Sequence, residues 1–190
     1  MGCVSGGAFL SAASTVSAMS VAGIEIRRLT LDDVDAVCEV QPHAYRDDYL
    51  ESAESFVAKI AAAPETCFGA FARSDNGDHL MVGYLICLPC DVDFEMPLDA
   101  VPHGVLPLAE ARSVYIHDLA VRRDRQGQQI GDLLWAALGE AVRHSAIVQF
   151  ALVSVQNSTP YWQARGFSVV GPAPVGYGDE AVKMIAAVTF

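Results

Sequence analysis

Residues 113 to 155 constrain the fold more than any other stretch of the chain. Ser113 to Val121 is a β-prone run, and a polar turn with Gly127 follows it. From Ile130 to His144 the pattern is helical, with Leu133, Leu134, Ala137, Leu138 and Ala141 on one side. Ile147 to Val155 is a continuous apolar run of the buried-strand type. Together these make a strand, crossover helix, strand unit, the building block of an α/β sheet.

The flanking segments extend that sheet. Ile24 to Leu29 alternates as a strand, and Thr30 with Asp32 and Asp33 starts a helix bearing Val34, Val37 and Cys38. After Pro42 a second helix is predicted, with Phe56, Val57 and Ile60, ending near Pro64. Thr66 to Ala72 and Leu80 to Leu88 flank Ser74 to Asp78, a turn signal, and read as a hairpin. Pro89 to Ala111, with four prolines and several acids, is predicted to be an irregular loop. A short helix after Asn157 ends at Gly166, and Phe167 to Val170 and Ala181 to Val188 complete the sheet. No internal repeat is visible. We expect a tail over residues 1–22, rich in Ser, Ala and Gly, and one domain over 23–190.

Hydrophobic residues make up 52% of the chain, so a packed core is expected. Twelve basic against 23 acidic residues give a formal charge of -11, which disfavours nucleic acid and anionic lipid and agrees with a cationic partner. The opening stretch has no Lys or Arg and so lacks the basic region of a signal peptide; Gly6 stands where a myristoylation signal needs Ser or Thr. No apolar run is long enough to span a bilayer. A cytoplasmic, membrane-free location is the expectation. Five cysteines, an odd number, point to free thiols, although Cys87 and Cys90 have CxxC spacing and leave open a thiol or zinc protein.

The chemistry lies in the turn Gln126 to Gly131. Backbone N–H groups where a helix begins have no intrahelical partners, and the macrodipole adds partial positive charge there, so a pyrophosphate can be gripped. An ordinary polar strand-to-helix loop is the alternative for such a turn alone.

Gln126, Gly127, Ile130 and Gly131 resemble the pyrophosphate turn of the GCN5-related N-acetyltransferase (GNAT) family, with Gln129 where that family usually has Gly. Tyr115-Ile116-His117-Asp118-Leu119-Ala120-Val121 is similar to its central strand. Tyr161-Trp162-Gln163-Ala164-Arg165-Gly166-Phe167 is similar to its last helix and closing Gly-Phe. The His-Asp-Leu-Ala motif is similar to that of bacterial members. The resemblance implies a mixed, mostly antiparallel twisted sheet of about seven strands with helices on both faces and a V-shaped opening between the two central strands. It also implies direct transfer of an acetyl group from acetyl-CoA, as co-substrate and without a metal, to an amine of a small molecule or a protein. The protein is expected as a monomer or homodimer.

The same resemblance supplies the candidate site. Leu119, Ala120, Val121, Gln126, Gly127, Gln128, Gln129, Ile130, Gly131 and Asp132 would hold the cofactor, with a backbone N–H near Leu119 as oxyanion donor. Asn157 would bond the pantetheine amides, or is simply a helix N-cap. An ammonium must lose a proton before it attacks, and His117 is the first candidate base, with hydrogen-bonded packing as its alternative. Period-two alternation puts Tyr115, His117, Leu119 and Val121 on one face, and Asp118 on the other unless a bulge re-aims it. Trp162 occupies the usual position of the acid Tyr, so Tyr161 or water would protonate the thiolate while Trp162 packs beside the pantetheine arm. Tyr45, Tyr49 and the acids Asp91, Asp93, Glu95 and Asp99 are candidates for the acceptor side, the acids equally for a solvated loop face. A non-catalytic acyl-CoA-binding module is the competing function, motivated by Gln129 and Trp162.

Overall fold

The structure, a computed structural model, describes residues 19–21, 23–73, 77 and 79–188. Most of the expected tail, most of the 74–78 turn, and residues 189–190 lie outside the described residues. Eight strands form one sheet in the order β1-β2-β3-β4-β5-β6-β8-β7. They are β1 (Met19–Val21), β2 (Ile24–Arg28), β3 (Phe68–Arg73), β4 (His79–Cys90), β5 (Ser113–Val121), β6 (Gln149–Ser154), β7 (Ser168–Pro172) and β8 (Val182–Ala187). Every neighbouring pair is antiparallel except β5 and β6. The mixed, mostly antiparallel architecture expected from the sequence is therefore present. The extra strand is β1, which pairs with β2 inside the stretch expected to be tail.

Four helices cover the sheet: α1 (Val34–Ala44), α2 (Ala53–Ala62), α3 (Ile130–Val142) and α4 (Thr159–Gln163). Beneath α3 lies one core layer, including Val114, Ile116, Leu134, Leu138, Phe150 and Trp162. On the opposite face, Val37, Phe56, Ile60, Tyr84, Ile86 and Tyr115 form the second layer under α1 and α2. Each helix shows its apolar stripe to the sheet, which burial of nonpolar surface dictates.

Two prolines act differently from expectation. Pro42 does not separate the first two helices; it sits near the C-terminal end of α1, and the break falls at Tyr45 to Ser52. Pro89 does not end β4, which runs on to Cys90. Pairing with β3 stops at Leu85, so the missing N–H of Pro89 interrupts no ladder on that side, and its carbonyl accepts from Leu106 N–H at 2.9 Å. Cys87 and Cys90 thus lie in a strand three residues apart, one in each core layer, and burial pushes both thiols up in pKa, Cys90 to about 11. Such side chains cannot share a disulfide or a metal.

The loop between β4 and β5 is irregular, as expected, but tied down. Phe94 packs edge-on against Tyr115, Met96 is fully buried, and Asp99 accepts from the Ser52 N–H and hydroxyl at 2.8 and 2.7 Å. Glu95 pairs with Lys183 at 2.6 Å. Two of the four candidate acids therefore serve structure. No helix among the described residues is long and apolar enough to cross a membrane.

Candidate active site

The parallel ladder between β5 and β6 runs only from Ser113 to Ile116 on one strand and Gln149 to Leu152 on the other. Beyond it the strands separate, and the gap opens into a cavity of about 600 Å³. One end of this cavity is the turn Arg125, Gln126, Gly127, Gln129, Ile130, Gly131 and Asp132; the middle is Ile116 to Leu119 facing Leu152 and Val153; Tyr45, Tyr49, Glu51 and Tyr177 close the other end.

At the turn, the N–H groups of Gly127 through Gly131 have no hydrogen-bond acceptor among the described residues, while Gln129 carbonyl already receives Asp132 and Leu133. These free donors at a helix start are what an anion needs. Gly127 has φ +78, and Gln129 itself has φ +59 without a side-chain cap bond. The backbone at residue 129 therefore demands the left-handed conformation that Gly adopts freely and Gln does not. Gln129→Gly is expected to stabilise the fold by about 0.5 to 1 kcal/mol, the strain relieved being partly offset by unfolded-chain entropy. A rise of roughly 1 to 4 °C in thermal midpoint would show it.

A Cβ on Gly131 would lie 2.7 Å from the Tyr161 hydroxyl, so the glycine admits that tyrosine to the head of α3. The Tyr161 ring is covered by the Arg165 guanidinium, 3.6 Å from its centroid, and Arg165 pairs with Asp132. Tyr161 consequently stands at the turn end of the cavity. Its neighbour Trp162 is buried in an aromatic cluster with Trp135 and Phe167 and lines the same cavity. Asn157 is exposed with φ +60 and outside the cavity lining, and Ser158 takes the N-cap position of α4. Neither expected role for Asn157 matches its place: the positive φ turns the chain before the helix begins. Ala120 is buried, Gln128 exposed, and neither lines the cavity.

The expected alternation along β5 breaks at His117. Opposite Ile86 and Cys87 the register shifts, pairing Asp118 with Ile86 and Ile116 with Cys87, so His117 is an extra residue. A bulge of this kind moves every later side chain to the other face. Leu119 and Val121 therefore pack on the α3 side, and Asp118 joins Tyr115 and His117 on the α1/α2 side.

Asp118 accepts from the Tyr84 hydroxyl at 2.5 Å and from the Tyr45 hydroxyl, which also lies 3.0 Å from Leu119 carbonyl. Burial pushes its carboxyl up to about 6, although both tyrosines pull it down. A folded group holding its proton more tightly than the unfolded one, near 3.8, contributes stability fully present below that value and lost as pH rises through about 6. Asp118→Asn should erase this decline, on the order of 2 to 3 kcal/mol, in urea midpoints measured across pH 4 to 7.

His117 contacts residues that sequence patterns did not indicate. Its side chain is 1% exposed, Nε2 lies 2.7 Å from Glu51 Oε1, and Nδ1 is buried with no partner among the described residues. Glu51 Oε2 accepts from Lys59 Nζ at 2.6 Å and Asp99 N–H at 2.7 Å. Burial pushes the Glu51 carboxyl up, but His117 and Lys59 outweigh it and hold it at about 2. Tyr115 does not line the cavity; its hydroxyl sits 3.5 Å from that of Tyr177, which does.

Residues 98–187 match the sequence model of the acetyltransferase (GNAT) domain. No curated protein matches the chain. Among solved structures, the loading GNATL domain of CurA from Lyngbya majuscula is 13% identical with TM-score 0.71, covering 86% of this chain and 97% of that one. The GNAT-like decarboxylase GphF in complex with isobutyryl-CoA is 16% identical, TM-score 0.66, covering 85% and 98%. PaiA N-acetyltransferase from Thermoplasma acidophilum in complex with coenzyme A is 17% identical, TM-score 0.63, covering 90% and 100%. At these identities the likeness is one of fold. The sequence match covers residues 98–187, and the shared fold extends over most of the chain's length.

Proposed function

We propose that the protein is an N-acetyltransferase that moves the acetyl group of acetyl-CoA to an amine in a ternary complex, with residues 23–190 as its catalytic domain. The observation that carries this is one continuous cavity with helix-start N–H groups, unpartnered among the described residues, at one end and His117 and Asp118 in its middle. Gly127 to Gly131 would take the pyrophosphate, and the gap between β5 and β6 would receive the pantetheine arm beside Trp162. Acyl-CoA as the ligand agrees with the CoA bound by PaiA and the isobutyryl-CoA bound by GphF. The resident chemistry of the cofactor is a thioester carbonyl open to attack.

The chain's own groups then divide the work. Alignment of amine and thioester removes much of the entropic barrier. Past Ile116 the gap-facing backbone of β5 has no ladder partner, which leaves an amide near Leu119 to meet the oxyanion. His117 accepts the ammonium proton. Tyr161 is kept protonated by burial, and its hydroxyl at Gly131 serves the phosphate end, reaching the sulfur only if the ring turns. A CoA thiolate, whose thiol resembles the ~8.5 of Cys, leaves readily without an acid. Tyr45, Tyr49 and Tyr177 line the acceptor end, which fits the ammonium of a small molecule or a protein amino group.

A buried imidazole with a free ring nitrogen favours catalysis over a purely binding module. Calorimetry should show acetyl-CoA binding, and a panel of amines should release free CoA. Absence of binding would sink the proposal; binding without release from any amine would leave only the module.

A further inference from the structure

The two oxygens of Glu51 face different demands. Oε2 is committed to donors on three sides: Lys59 Nζ at 2.6 Å, Asp99 N–H at 2.7 Å and the Ser55 hydroxyl at 3.3 Å. Oε1 faces His117 Nε2 at 2.7 Å. An ionised carboxylate can only accept, so the proton of a neutral imidazole must sit on Nε2. The lone pair then belongs to Nδ1, which is buried without a partner among the described residues. Glu51, Lys59 and His117 side chains are 2%, 0% and 1% exposed.

From these contacts we infer that Glu51 is a positioning residue that fixes His117 in the Nε2–H tautomer and so makes Nδ1 the atom that takes the acceptor's proton. The inference rests on the acetyl-transfer proposal above. Lys59 has a separate part. Its ammonium already balances the Glu51 charge, so the imidazole is not needed as a counter-ion. Asp118, the other carboxylate close enough to act on His117, is held by the two tyrosine hydroxyls instead.

One ammonium proton passes to Nδ1, and the freed nitrogen pair attacks the thioester carbonyl carbon. The C–S bond breaks and its pair leaves on sulfur. A second nitrogen proton ends on the thiolate, while the imidazolium returns its Nδ1 proton to solvent, giving amide, CoA thiol and one released proton.

The donors around Oε2 make a sharp test possible. In Glu51→Gln the amide oxygen must face Asp99 N–H, which turns the NH2 toward His117 Nε2 and forces the ring proton onto Nδ1. Combining it with Lys59→Met strands no buried charge, so the pair folds. Ring-nitrogen NMR of the wild type, with His117 signals assigned by their loss in His117→Gln, should show Nε2 protonated and Nδ1 bare. In the double variant the proton should move to Nδ1, with kcat falling at least ~100-fold and KM for acetyl-CoA unchanged. A purely structural Glu51 would change melting but not the tautomer. A wild-type proton on Nδ1, or full kcat in the double variant, would overturn the inference. Loss of acetyl-CoA binding by the wild type would instead strike the acetyl-transfer proposal, because the tautomer is read without turnover.

Discussion

His117→Gln is expected to lower kcat for amine acetylation by two to four orders of magnitude, the range spanned by loss of a general base, while acetyl-CoA still binds. The choice of Gln matters. Its amide NH2 can donate to Glu51 Oε1 where Nε2–H did at 2.7 Å, so the buried carboxylate keeps its partner and the fold its support. What disappears is the ring nitrogen that takes the acceptor's proton. The cavity end formed by Gly127 to Gly131 is on the other side of the sheet opening, so the dissociation constant for acetyl-CoA should stay within about threefold. The rate against pH adds a second reading. A limb that survives near pH 6 belongs to Asp118 and should disappear in Asp118→Asn. A kcat within about tenfold of wild type would remove His117 from the mechanism.

Local features of the site were legible and nonlocal ones were not. The turn at Gln126 to Gly131 announces itself because strand, glycine and apolar helix follow one another within a few residues, and all the relevant physics is backbone geometry. Gln129 could be flagged as a departure, but its left-handed φ depends on how α3 meets the sheet. The bulge at His117 is set by which residues of β4 lie opposite, Ile86 and Cys87, and β5 alone carries no mark of it. Hence plain alternation puts Leu119 and Val121 on the face of Tyr115, which the structure overturns, while the bulge that would re-aim Asp118 is present. Glu51 meets His117 across 66 positions of sequence, which no window can see. One signal for its partner was available. Phe56, Lys59 and Ile60 stand at i, i+3 and i+4, so the apolar stripe of α2 carries a lysine, and a core-facing lysine needs a buried anion.

That lysine supports the second large effect. Lys59→Met is expected to destabilise the fold by about 3 to 5 kcal/mol, lowering the thermal midpoint by roughly 6 to 20 °C. Methionine fills the space of the alkyl stem but removes the ammonium, leaving the Glu51 carboxylate buried against His117 Nε2–H, Asp99 N–H and the Ser55 hydroxyl. Hydrogen bonds alone do not replace the lost charge at a carboxylate this deeply buried. Adding Glu51→Gln removes the stranded charge and should recover most of the loss, to within about 1 to 2 kcal/mol of wild type, because a buried pair replaced as a unit costs far less than one broken. Urea unfolding of the single and double variants at pH 6 and 8 measures both terms. If Lys59→Met lies within about 1 kcal/mol of wild type at pH 8, the ammonium is not compensating Glu51.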